Sequence, residues 1–177
     1  MRARDLERFL VDLTCSHTAD ESDVSVESSM PLTSTLLDHT TRTLRGTNFL
    51  PTGGRGLSAP HIEPRHAAAV IVGLAAAQPS WAAKTAQTMM YLRSVEDGDF
   101  ETFGEALTAI LSNTQNSLQM NSVVICRGRA LAWIEHLDGG RTVFGESDPH
   151  RGVGEIRTEV RFGGEILLKI AQALQQR

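Results

Sequence analysis

Apolar residues recur at spacings of three and four near the start of the chain. Leu6, Phe9, Leu10 and Leu13 fall on one face and predict an amphipathic helix over residues 2–13. Residues 14–31 are polar and acidic and read as a loop, with Val24 and Val26 as the only material for a short extended piece. The helical spacing returns at Thr33. There Leu36, Leu37, Thr40 and Leu44 form an inward stripe, Thr33 or Ser34 supplies a capping hydroxyl, and Gly46 marks the stop. Phe49 and Leu50 turn back toward a core before Pro51. The segment PTGGRGLSAP then predicts a tight protruding turn with Arg55 at its tip, because glycine opens backbone angles closed to other residues. Pro64 fits the first position of a helix over 63–77 that is apolar almost all round, the mark of a central core helix. Two more helices follow over 80–95 and 99–112. Trp81, Met89 and Leu92 are the expected packing residues of the first, and Phe103, Leu107, Ile110 and Leu111 of the second.

The pattern changes after Asn113. NTQNSLQMN reads as a polar connector, and the spacing then becomes two. Residues 122–126, 130–137, 141–145 and about 155–162 predict short strands, with Asp138-Gly139-Gly140 as a hairpin turn. The final segment is an amphipathic helix built on Ile166, Leu167, Ile170 and Leu174. The expected fold class is therefore α+β. A helical domain over 1–112 precedes a small antiparallel unit over 113–177, which is too small to stand alone easily and suits dimerisation or ligand sensing.

Charge changes this picture more than composition does. The apolar share of 41% describes an ordinary folded chain, and the longest apolar run, Ala67–Ala77, is too short to span a bilayer. The N-terminal residues lack an apolar core and cleavage site, which leads to the expectation of a cytoplasmic protein. Net charge is −4, but its distribution is uneven: residues 1–40 carry −5, residues 41–66 carry +3, and residues 67–177 carry −2. The positive strip consists of Arg42, Arg45, Arg55 and Arg65 against Glu63 alone. Arg42 and Arg45 lie three apart on one helix face, beside Thr40 and Thr41, whose short polar side chains suit phosphates or base edges.

Other chemistry is poorly represented. Cys15 and Cys126 are far apart and read as two buried thiols. His61 and His66 do not share a helical face, so no metal is expected, and no phosphate-loop or dinucleotide pattern calls for a cofactor. No GxSxG, HExxH or paired-carboxylate motif suggests an enzyme. Asp97, Asp99 and Glu101, ahead of an apolar helix, are better explained by helix capping.

The order helix, basic glycine-rich turn, helix over Leu36–Leu74 resembles the winged helix-turn-helix regulators of transcription. The residues that carry the likeness are Arg42-Thr43-Leu44-Arg45-Gly46-Thr47-Asn48-Phe49-Leu50 followed by Gly53-Gly54-Arg55-Gly56. Asn48 stands where a left-handed glycine is usual. The GGRG…AP-H-[IL]-x-P…A arrangement is also similar to phage and prophage proteins of α-proteobacteria. The likeness implies a sequence-specific regulator that binds double-stranded DNA as a homodimer. Thr41, Arg42 and Arg45 would face the major groove and Arg55 the backbone or minor groove, with Thr40 and Arg65 completing the candidate DNA-binding residues. The acidic residues 14–31 occupy the place of the compact turn normal in those folds. The alternative is a non-enzymatic protein–protein module, such as a phage assembly or packaging factor or an inhibitor of a host protein, acting through the acidic surface.

Overall fold

Helix α1 (Ala3–His17) runs past the stretch its periodicity marks, and buries Leu6 and Leu10 against the helices that follow. The computed structural model describes residues 1–17, 32–53, 60–96, 98–146 and 158–176. Most of the acidic segment 14–31 and the tip of the glycine-rich turn, Arg55 included, lie outside the described residues.

Helix α2 (Ser34–Arg45) begins where the hydroxyl of Thr33 accepts the N–H of Leu36 at 3.2 Å. It ends at Gly46, as expected. Gly46 keeps a right-handed conformation, and Asn48 takes the left-handed one at φ 62°. That reversal lets the N–H groups of Phe49 and Leu50 return to the Leu44 carbonyl and drops Leu50 into the core. Helix α3 (Pro64–Leu74) is buried from His66 to Leu74, as an all-apolar helix must be. A Cβ on Gly73 would come within 3.1 Å of both Leu44 and Thr40, so glycine here sets how closely α2 and α3 approach.

The helix expected over 80–95 is shorter. A 3-10 turn (Pro79–Trp81) leads into α4 (Ala82–Met89), and the chain then extends. The cause lies in α5 (Phe103–Ser112), whose first N–H groups need acceptors. Phe103 and Gly104 donate to the carbonyls of Leu92 and Met90, each at 2.9 Å. Thr102 and Glu105 cap α5 reciprocally, so the capping role falls to this pair rather than to Asp99 and Glu101; Asp97 lies outside the described residues. The polar connector holds another short helix, α6 (Thr114–Leu118), capped by Asn113.

Strands β1 (Met120–Arg127), β2 (Leu131–His136), β3 (Arg141–Gly145) and β4 (Thr158–Gly163) form one antiparallel sheet in the order β3-β2-β1-β4. Helix α7 (Gly164–Gln175) follows β4 directly. The fold is thus α+β, with seven α-helices among the described residues. Alternation along the strands sends Val123, Ile125, Ala132, Ile134, Phe144 and Phe162 to the helix-covered face. There they join a single core that runs from Leu6 to Leu174, with Phe103 and Phe144 in ring contact at 5.4 Å. The core continues without a break across the boundary at residue 113. On the opposite face Val124, Cys126, Leu131 and Trp133 make a second buried cluster.

Candidate nucleic-acid interface

The basic strip of the sequence does not assemble into one surface. Thr40 and Thr41 are only 1% and 2% exposed and belong to the packing between helices, so neither lines a groove-facing surface. The sequence stripe already pointed Thr40 inward; Thr41 follows because its hydroxyl donates to Glu7 of α1 at 2.8 Å. Arg45 donates to the same carboxylate oxygen at 2.8 Å. Glu7 therefore ties α1 to α2 and neutralises a cation expected to face DNA. Arg42 is 72% exposed and pairs with Asp38 one helical turn away at 2.9 Å. Arg65 pairs with Glu63, also at 2.9 Å. Exposed pairs of this kind contribute roughly 0.3–0.5 kcal/mol and exchange readily for a phosphate.

Arg65 lines a groove of about 910 Å³ together with Asn48, Phe49, His66 and Tyr91. Nδ1 of His66 accepts the N–H of Glu63 at 3.0 Å, which completes the cap of α3. Burial, then the neighbouring Arg65, lower the pKa of His66 against the opposing pull of Glu63. The ring is thus a neutral structural cap whose remaining N–H is on Nε2.

A different element gathers positive charge. The β1–β2 hairpin turns through Arg127-Gly128-Arg129, with Gly128 at φ 80° and nothing within 4 Å of a Cβ placed there. This basic tip projects beside Trp81 and Lys84, and together they border a groove of about 350 Å³ floored by the end of α3 and by Met89. No carboxylate lines that groove among the described residues. Lys84 is exposed and makes no ion pair among the described residues. Arg127 donates through Nε to the Ala75 carbonyl at 2.9 Å, which anchors the hairpin to the end of α3, and it lines the groove. Arg129 is tethered by Glu146. Trp81, expected in the core, is 53% exposed. An exposed indole bordered by Lys84, Arg127 and the Glu146-paired Arg129 is chemically suited to a phosphate backbone.

The opposite end of the outer sheet face is electrically closed. Glu135 accepts from Arg161 and from Ser122 (2.8 Å) through one oxygen, and from Arg141 (3.0 Å) and Trp133 (3.1 Å) through the other. The hydrogen bond from Arg161 does most to hold the Glu135 pKa down to about 2; Ser122 and Trp133 add to it against the effect of burial. Arg141 also lies over the Trp133 ring at 5.0 Å. Both arginines thereby help to hold the outer face together.

Of the six sequence-predicted residues, Thr40, Thr41, Arg42, Arg45 and Arg65 do not border the Trp81–Arg127 groove, and Arg55 lies outside the described residues. The signal missed in the sequence is the pair of arginines flanking Gly128, which falls between two predicted strands. No group of three or more potential metal ligands occurs among the described residues. No protein-family model, curated protein or solved structure matches the chain.

Proposed function

We propose that this chain is a non-enzymatic binding protein for double-stranded DNA, of the kind that regulates transcription, and that its main contact is the Arg127-Gly128-Arg129 hairpin tip with Lys84. The observation that carries this reading is the convergence of Lys84, Arg127, the Glu146-paired Arg129 and an exposed indole on one groove, with no carboxylate in its lining among the described residues. A basic hairpin beside a helical unit is how a wing reaches a DNA backbone or minor groove, so the role first expected of Arg55 passes here to the hairpin. Arg42 is exposed and pairs only with Asp38, but it does not line this groove; Arg45 acts through the fold, by fixing α1 on α2.

The test is a fluorescence-anisotropy titration of labelled duplex DNA at low salt. The Lys84→Ala/Arg129→Ala double variant is expected to bind at least tenfold more weakly than wild type, since each cation removed from the phosphate backbone takes a counterion-release contribution with it. Equal binding by wild type and the variant would refute the assignment of the hairpin. Exposed Leu118 and Leu137, whose segments meet through the Leu137 N–H and Gln119 carbonyl, favour the second reading, a protein–protein module. That reading predicts no salt-sensitive DNA binding at all.

A further inference from the structure

The two edges of the sheet are treated differently. The outer edge of β3 is covered from the helical half: Ser94 bridges Phe144, the Gly145 N–H donates to Arg93 at 2.8 Å, and the Val95 N–H donates to Val143 at 2.9 Å. At the other end of the sheet, β4 pairs with β1, and no strand among the described residues pairs with its second edge. Thr158, Glu159 and Arg161 are exposed. An edge of unpaired N–H and C=O groups is a template for another strand unless something blocks it.

The side chains along β4 select the partner. Glu159 and Arg161 lie on the outer face, two positions apart on either side of Val160. We infer that a second copy of this chain docks antiparallel along β4 about a two-fold axis through Val160, continuing the sheet from one protomer into the next. A two-fold perpendicular to the sheet keeps both helix-covered faces on the same side. Centred on Val160, it sets Glu159 of each copy opposite Arg161 of the other, and Thr158 opposite Phe162. Moving the axis to Glu159 or to Arg161 brings like charges face to face, which disfavours those registers. Arg161 remains 46% exposed while bonded to Glu135, so a second carboxylate has access to it. The inference is independent of nucleic acid and is tested without it.

Sedimentation equilibrium on the full chain, from low to high micromolar concentration, reads the mass directly. The expected result is a rise from 19.3 kDa toward twice that value, together with amide-exchange protection over 158–162 that grows with concentration. Glu159→Arg is expected to remain monomeric where wild type is dimeric, because two arginines then meet across each half of the pairing. A single-copy mass at every concentration, with exchange in β4 unchanged, would overturn the inference. So would a dimer whose β4 amides stay unprotected. The exchange measurement uses wild-type protein and decides the question even if the variant folds poorly.

Discussion

Replacing Glu135 by Gln removes the charge at the centre of the outer-face cluster while keeping its shape. The carboxylate is bound by Arg161, Arg141, Ser122 and Trp133, and its pKa falls from the usual carboxylate range to about 2. Each tenfold change in proton affinity corresponds to about 1.4 kcal/mol, so complete linkage would give about 3 kcal/mol. The arginine partners are 40% and 46% exposed, and solvent screening reduces the effect to about 1–2 kcal/mol. The sign follows from the depressed folded-state value. The contribution is complete above the unfolded carboxylate's pKa near 4.5 and disappears as pH falls toward about 2. Urea denaturation of wild type and Glu135→Gln in steps from neutral to acid pH measures it. The reasoning predicts a gap of about 1–2 kcal/mol at neutral pH that narrows steadily below about pH 5. A gap that does not change with pH would refute the electrostatic account and leave only a packing effect.

Three further outcomes are expected. Thr40→Val should leave stability unchanged or raise it by about 1 kcal/mol in thermal denaturation, because the buried Thr40 hydroxyl has no hydrogen-bond partner among the described residues. Thr41→Val should lower stability by about 1–2 kcal/mol by removing the bond to Glu7, and neither threonine variant should alter duplex affinity. Gly145→Ala should prevent stable folding, read by circular dichroism, because the residue sits at φ 97° and a Cβ would fall 1.9 Å from the Ala130 carbonyl oxygen.

Period and punctuation made much of the fold readable. The α2 cap at Thr33, the apolar α3 behind Pro64, the hairpin at Asp138–Gly140 and the α7 stripe all follow from local rules that tertiary packing reinforces. What failed depended on partners distant in sequence. The segment after Met90 has helical spacing but gives its carbonyls to α5 and its edge to β3. Trp81 resembles a core residue until the short 3-10 turn leaves half of it in solvent. The candidate site was harder still. Counting arginines between 41 and 66 showed charge but not pairing, and Glu7, lying 38 residues before Arg45, cancels what the count implied. The hairpin tip gains its meaning only when α3 and α4 bring Trp81 and Lys84 beside it.

The dependence of duplex affinity on salt tests the central claim most directly. Phosphate contacts by Lys84, Arg127 and Arg129 predict that binding weakens about forty-fold between 50 and 200 mM salt, as expected for roughly three released counterions. The same rise should weaken the Lys84→Ala/Arg129→Ala variant only about three- to fourfold. Wild-type affinity that ignores salt, or the same steep slope in both proteins, would contradict the account.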